Sequence, residues 1–422
     1  MATRIPPTAA QVRLGGEFRK LWASSAISNL GDGVALVAAP LLAATLTDDP
    51  ALIAGLSFVQ RLPWLLFALV SGALADRLDR RRAMVAVAAC RALLIGSLGV
   101  AIVLDRASLP LLYAIFFLIS TGETLFDTAS ATILPALVPP AALPRANARL
   151  SATLTVANQF IGPPLGGFLF ATALALPFLL GGGGLAVAAA LLLLLRGRFS
   201  VVREAGAASL SLRVAITEGV RWLWAHRLLR TLALTLAILN IPLVAQVSIM
   251  VLFARERLGL GPEGFGLLLT TYGLGGTLGG VVAGRVIDRL GASRVLRLAL
   301  LIEIATPAAL AVVREPLLAG AVLALFGCHA VVWGALLSAL RQELTPDRLR
   351  GRVESVYRLI EYGGAAPGAL IGGLLAARFG LTAPFWLGAV AGLLLLPFVW
   401  PVFSVGAVAA AREEAQGTAD GG

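Results

Sequence analysis

Apolar residues run along this chain in blocks of about twenty, each separated from the next by a short polar or charged stretch. Twelve blocks stand out, at 21–46, 51–75, 83–104, 110–134, 148–173, 177–195, 230–254, 263–284, 295–313, 316–340, 353–377 and 384–403. A helix rising 1.5 Å per residue needs about 20 residues to cross a hydrocarbon core of ~30 Å. The pattern therefore predicts an all-α membrane protein with twelve transmembrane helices, and an even number puts both termini on one side. Composition agrees: 58% of the 422 residues are hydrophobic and 14% charged, against about 25% charged in soluble domains. The 46 Gly and 22 Pro suit membrane helices, which tolerate both. Met1–Lys20 lacks a cleavable leader, since Gln11, Arg13 and Glu17 precede a first apolar run of full span length, and it is expected to stay on the chain.

Several chemistries drop out early. Lys20 is the only lysine, so there is no phosphate-binding Gly-Lys loop, and His226 and His329 are too far apart for a zinc helix motif. Cys90 and Cys328 sit inside apolar runs and read as small buried hydrophobes. No cofactor, metal or enzymatic activity is expected. The formal charge of +11 resolves once the cations are placed. Of 34 Lys and Arg, 26 lie on the N-terminal side of the spans, five on the opposite side (Arg106, Arg255, Arg257, Arg314, Arg378) and three within spans (Arg61, Arg91, Arg358). The excess of cations on the inner side puts both termini in the cytoplasm, so the charge reflects topology and anionic lipid rather than nucleic acid.

The chain also repeats itself. Gly72-Ala-Leu-Ala-Asp76-Arg77-Leu after span 2 and Gly284-Arg-Val-Ile-Asp288-Arg289-Leu after span 8 share one pattern at an offset of 212. Pro110-Leu-Leu matches Pro316-Leu-Leu, and Gly166-Gly167 matches Gly372-Gly373, both at 206. Two parallel six-span halves follow: an N-terminal bundle over 1–195 and a C-terminal bundle over 231–404. A linker at 196–230 joins them and carries an interfacial helix in which Trp222 and Trp224 alternate with arginines. A cytoplasmic tail covers 405–422.

A six-plus-six arrangement with Gly72, Asp76, Arg77, Arg80 and Arg81 between spans 2 and 3 resembles the major facilitator superfamily. Leu30-Gly31-Asp32, Leu62-Pro63-Trp64-Leu65-Leu66 and Gly162-Pro163-Pro164-Leu165-Gly166-Gly167 resemble its drug:proton antiporters, in the branch of macrolide-efflux and enterobactin-exporter-like proteins. The resemblance implies that Gly72, Asp76, Arg77, Arg80 and Arg81, with the copy at Gly284, Asp288 and Arg289, clamp the halves together on the cytoplasmic side. It also associates Gly162, Pro163, Gly166 and Gly167 with export. The arginine expected in span 4 of many proton-coupled members is absent.

Ionisable groups inside a bilayer cost about 2.5–3.5 kcal/mol on insertion scales, so each is a functional candidate. Asp32 and Glu123 fall roughly 18 Å from the cytoplasmic ends of their spans, near the midplane. The family lines its cavity with spans 1, 4, 7 and 10, and the 206 offset maps Glu123 onto His329. These two would face one another across the cavity and carry proton coupling, with Asp32 next. Asp127 is expected to pair with Arg91, with Arg91 and Glu303 as scaffold charges on outer spans. Asn29, Gln60, Arg61, Asn158, Gln159, Asn240, Gln246 and Trp333 are candidates for substrate contact, with interhelical hydrogen bonding the equal alternative for the polar ones. Glu354, Arg358 and Glu361 are spaced to bond one another.

The reading that results is a monomeric secondary transporter of the cytoplasmic membrane, exporting amphipathic small molecules (drugs, siderophores or natural products) against a proton gradient by alternating access. Its partners are the substrate, protons and the bilayer. An importer or uncoupled facilitator of the same fold stays open. A polytopic membrane enzyme is remote, because every external loop is short.

Overall fold

A computed structural model describes residues 14–75, 78–197, 212–346 and 349–420, and the regular elements in those stretches are all helical. In hydrocarbon no water satisfies a backbone amide or carbonyl, so a spanning segment must bond internally. The helices of the first half are α1 (Gly15–Leu46), α2 (Pro50–Ala75), α3 (Arg80–Val103), α4 (Leu109–Ile133), α5 (Leu143–Leu154), α6 (Gly162–Thr172) and α7 (Leu176–Leu193). After α8 (Leu212–Ala225) come α9 (Arg227–Ser248), the single turn α10 (Met250–Leu252), α11 (Pro262–Leu290) and α12 (Ala292–Val312). The chain ends with α13 (Pro316–Leu344), α14 (Arg350–Phe379), α15 (Ala383–Val399) and α16 (Val405–Asp420).

Among the described residues, nine helices are long and apolar enough to cross a membrane: α1, α2, α3, α4, α7, α9, α11, α12 and α13. The other three predicted spans fall outside that set. A π-helical segment at Thr155–Ile161 divides the 148–173 stretch into α5 and α6. The apolar arm of α14 from Gly363 and the whole of α15 are each a little short, and they turn on one another by 117°.

Helix ends follow local chemistry. Asp79 caps α3, its carboxylate accepting from the Arg82 amide at 2.9 Å. Gly291 and Gly380 adopt φ of 76° and 90° at the ends of α11 and α14, a conformation a side chain disfavours. His226 caps α9 through Nδ1, which accepts from the Leu229 amide at 3.4 Å. Burial pushes this imidazole below its usual pKa, which keeps it in the neutral form that can accept.

The chain divides into two compact units. The first comprises residues up to Leu46, Leu62–Arg203 and Gly261–Thr270; the second comprises Thr47–Arg61, Glu204–Leu260 and Thr271 onward. Each has its own core. In the first, Phe18, Met84, Ile133 and Leu192 pack together. In the second, Leu229, Leu296, Tyr357 and Phe403 do so, and the Tyr357 hydroxyl donates to the Leu229 carbonyl at 2.7 Å. The segment predicted as a tail forms α16, which buries Val408 and Ala411 in that core and pairs Arg412 with Glu343 at 2.9 Å. In the linker, α8 lies against the start of α14, with Glu218 bonded to Arg352 and Trp222 packed on the core.

Membrane helices gain little from apolar attraction to one another, so close backbone approach becomes a main source of packing energy. The repeated glycine pairs supply it in matching ways. In the first unit, a Cβ at Gly166 would lie 2.6 Å from the Val34 carbonyl oxygen of α1, and one at Gly167 would lie 3.0 Å from Cα of Glu263 on α11. In the second, a Cβ at Gly372 would lie 2.6 Å from Cα of Ala245 on α9, and one at Gly373 would lie 2.7 Å from Cα of Ala51 on α2. The first glycine of each pair packs on the bundle's own first helix and the second on an N-terminal helix end from the other half of the sequence. That is why the ends at 47–61 and 261–270 change units.

Gly372→Val should accordingly lower the thermal unfolding midpoint of the purified protein by several degrees, through overpacking of about 1–3 kcal/mol. Gly284→Ala, where nothing lies within 4 Å, should leave it unchanged or raise it slightly. Differential scanning fluorimetry of the two variants against the parent checks this, and equal effects would remove the packing assignment.

Candidate functional site

In the first unit Arg91 on α3 is 5% exposed and its guanidinium bridges two carboxylates from neighbouring helices. It bonds Asp32 of α1 and stands 3.1 Å from Glu123 of α4. Both contacts are made by Nη2, so one guanidinium nitrogen serves two carboxylates. One cation between two carboxylates leaves an excess negative charge, and Asp127, one turn along α4, adds to the field.

This corrects the expected partner of Arg91, which is Asp32 and Glu123 rather than Asp127. The reason is depth. Arg91 is eleven residues into α3 and Glu123 ten residues from the end of α4, so the two are level, whereas Asp127 is a turn shallower. Arg91 is thus no outlying scaffold charge; it joins α1, α3 and α4.

The second unit builds a related pair with the acidic and basic residues exchanged. His329 on α13 is buried, and its Nε2 lies 3.0 Å from Oε1 of Glu303 on α12. Glu303 stands eleven residues into α12, as Arg91 does in α3, and the repeat relates His329 to Glu123. Where the first unit has a cation on its third span and an anion on its fourth, the second has the anion first and the imidazole second. Glu123 and His329 each form their ionic contacts inside their own unit. Glu303 borders a cavity of about 40 Å³ together with Thr235 and Asn240 of α9, Leu300 of α12 and Trp333 of α13. Sequence reasoning treats Glu303 as scaffold and passes over Thr235, although applying the two offsets to an Arg91–Glu123 pair gives Glu303–His329.

The remaining candidates divide. Asn240 and Trp333 line that cavity. Gln246 is 7% exposed with its amide against Gly388 of α15, so it serves a helix contact. The Asn29 amide donates within its own helix to the Ser25 carbonyl at 2.7 Å, while Asn158, in the π-helical segment, donates to the Asn29 carbonyl at 3.4 Å. Gln60, Arg61 and Gln159 are half-buried. In the glycine-proline motif, Gly162 and Gly33 meet backbone to backbone, a Cβ at Gly162 falling 2.5 Å from Cα of Gly33 and one at Gly33 falling 2.9 Å from Cα of Gly162, and Gly266 of α11 fits against Pro163 and Pro164.

Of the clamp residues, Asp76 and Arg77 lie outside the described residues, as does the side-chain environment of Gly72. Arg81 bonds the last carbonyls of α7, Leu192 at 3.2 Å and Leu193, where a cation also suits the helix dipole. Asp288 and Arg289 are exposed, and Gly284 has open space around it. The side chains of Arg358 and Glu361 are likewise outside the description; Glu354 lies 3.4 Å from Arg341.

The chain is a multi-pass membrane transporter of the major facilitator superfamily. Within it the chain belongs to the family of transmembrane secretion effectors, whose model matches residues 9–418. It is 27% identical over 383 residues to the multidrug efflux pump Tap of Mycolicibacterium fortuitum, covering 84% of this chain and 88% of that one. It is 28% identical to the uncharacterised transporter YfiS of Bacillus subtilis, over 63% of each chain. Among solved structures, a point mutant of the nucleoside transporter NupG superposes with a TM-score of 0.76 at 12% identity, over 92% of this chain and 100% of that one. A bacterial homologue of the iron transporter ferroportin, in its inward-facing state, gives 0.73 at 18% identity, over 92% and 98%.

Removing the cation should cost more than removing one of its anions. Arg91→Gln leaves Asp32 and Glu123 side by side and uncompensated, a loss of about 3–5 kcal/mol; it should sharply reduce the yield of monodisperse protein. Arg91→Gln combined with Asp32→Asn should recover part of it. Size-exclusion profiles of both variants check this, and equal damage in the two would mean that the carboxylates are not held by Arg91.

Proposed function

We propose that this protein is a proton-driven exporter of amphipathic small molecules in the cytoplasmic membrane, with both termini in the cytoplasm and a single chain as the working unit. The observation that carries the coupling is the Asp32–Arg91–Glu123 group. Two carboxylates share one guanidinium, and a proton taken up there cancels the excess charge that is costly at membrane depth. Because the group joins α1, α3 and α4, protonating it weakens ionic ties among three helices at once, a local change that can bias which state of an alternating-access cycle is favoured.

Export is supported by similarity to the efflux pump Tap and by the motif Gly162-Pro163-Pro164-Leu165-Gly166-Gly167, whose glycines and prolines all lie at helix contacts. The clamp role of Gly72, Asp76, Arg77, Arg80 and Arg81 belongs to the same reading. So does a substrate path past the polar side chains of Asn29, Asn158 and Gln159.

Cells carrying the gene should accumulate less of a panel of cationic dyes and amphipathic antibiotics than cells without it, and an uncoupler should abolish the difference. In proteoliposomes with an imposed pH gradient, Glu123→Gln and Asp32→Asn should each reduce uphill transport at least about tenfold, a change of about 1.4 kcal/mol or more, while downhill exchange persists. Full gradient-driven transport in both variants would overturn the coupling site. Gradient-driven uptake in place of extrusion would overturn the direction.

A further inference from the structure

Where α12 begins beside the end of α15, two arginines have no counter-ion in the protein. Arg294, Leu298 and Leu301 of α12 are exposed and Arg297 is half-buried, and their spacing of i, i+3, i+4 and i+7 puts all four on one face. On α15, Trp400 closes the helix, with Phe398 and Leu394 exposed just before it. The helices are tied at this point. Arg297 Nη2 donates to the Trp400 carbonyl at 3.3 Å, its guanidinium carbon lies 4.8 Å from the centroid of the Trp400 ring, and Ser293 donates to the Phe403 carbonyl. Among the described residues no carboxylate lies within 4 Å of either arginine, Arg297 Nε is buried without a hydrogen-bond partner, and the Trp400 indole N–H makes no hydrogen bond. We infer that this seam binds the phosphate of an anionic phospholipid from the cytoplasmic leaflet, with Arg294 and Arg297 supplying charge, the Trp400 indole a donor, and Leu298, Leu301 and Phe398 an apolar flank for the acyl chain.

Depth, charge and donor geometry agree on that ligand. The 21 residues of α12 rise about 31 Å, close to the thickness of the hydrocarbon core. Its first turns therefore lie at the level of the headgroups, where tryptophan is enriched and a long cationic side chain reaches polar surroundings. Arg294 in the first turn opposes the positive end of the helix dipole, and an anion there offsets both. A guanidinium offers parallel N–H donors that suit two phosphate oxygens, and stacking on an indole fixes its plane. The first unit shows the alternative. Its matching helix end, Leu192–Leu194 at an offset of 206 from Phe398–Trp400, is served from within: Arg81 donates to the Leu192 carbonyl at 3.2 Å and to that of Leu193. Lys20 donates to the Leu194 carbonyl at 2.8 Å and pairs with Glu17 at 2.8 Å. Those cations are taken up by carbonyls and a carboxylate. At the second end one long carbonyl bond leaves the charge of Arg297 uncompensated and Arg294 without any partner, so the anion must come from outside. A zwitterionic headgroup brings its own ammonium to the arginines, and free phosphate has no chain for the apolar flank; both should bind more weakly.

The choice of leaflet rests on the topology proposed above; the site itself does not. Native mass spectrometry of the full-length protein released from detergent micelles counts lipids as they bind, with palmitoyl-oleoyl phosphatidylglycerol set against the matching phosphatidylcholine. The parent should take its first phosphatidylglycerol at least about tenfold more tightly than phosphatidylcholine. Arg294→Gln and Arg297→Gln should each weaken that binding about fivefold and together remove the preference. Trp400→Phe, which keeps the ring and loses the N–H, should weaken it less than Trp400→Ala. Arg221→Gln, at an exposed arginine of α8, should leave it unchanged. Equal binding of the two lipids by the parent overturns the inference even if no variant can be purified. An equal loss in Arg221→Gln also overturns it, by reducing the preference to diffuse charge. Displacement of the lipid by an equal concentration of inorganic phosphate would make this a phosphate site and overturn the lipid assignment. A terminal tag accessible from outside intact cells would overturn the topology and the leaflet but not the site, whereas loss of the lipid preference would overturn the site and leave topology and export standing.

Discussion

Every backbone amide and carbonyl inside hydrocarbon must find a partner within the protein, since an orphaned one costs several kcal/mol. That constraint makes the chain a set of helices, and it then limits how they can adhere, because a leucine gains little by leaving lipid for another leucine. Close approach remains, which requires residues without bulk. Gly33 against Gly162, Gly166 against Val34 and Gly372 against Ala245 put backbone on backbone where a single methyl would force helices apart. The placement of the charged side chains depends on this, because a guanidinium or imidazole can span two or three helices only when their axes are held close.

The charges obey a similar constraint. A buried ion is tolerated when its hydrogen-bonding capacity is met by opposite charge. Arg91 meets this with Asp32 and Glu123, and Glu303 with His329. The two arrangements differ in the base that holds the carboxylate: a guanidinium, which is always charged, in the first and an imidazole in the second.

Much of this was legible in the sequence, for identifiable reasons. Twenty-residue apolar runs report the thickness of a bilayer, and the offsets of 212 and 206 report two bundles built alike; the glycine pairs at 166–167 and 372–373 proved to make equivalent contacts. Pairing was harder to read. Spacing along a helix gives depth, and an error of one turn was enough to set Arg91 against Asp127 in place of Glu123. The break at Thr155–Ile161 was also hidden, because a π-helical segment adds one residue to a turn without a composition of its own. Glu303 looked peripheral only while α12 was taken for an outer helix; in the folded chain Glu303 faces the cavity that Asn240 and Trp333 line.

The repeat therefore separates what must be the same in the two halves from what need not be. The glycine contacts must match, because each bundle receives a helix end from the other half of the sequence at the same place: Glu263 beside Gly167, and Ala51 beside Gly373. Such contacts concern shape alone, and any change of residue alters the fit. The positions of Arg91 and Glu303, and of Glu123 and His329, carry a different requirement. Each pair must bring an acidic and a basic side chain together across the third and fourth spans of its bundle, and that condition is met by either order. Exchanging the order preserves the packing and changes the chemistry, because one half holds its carboxylates with a guanidinium and the other with an imidazole. A fold built on equivalent shapes can in this way hold two unlike buried pairs at equivalent places in its two bundles.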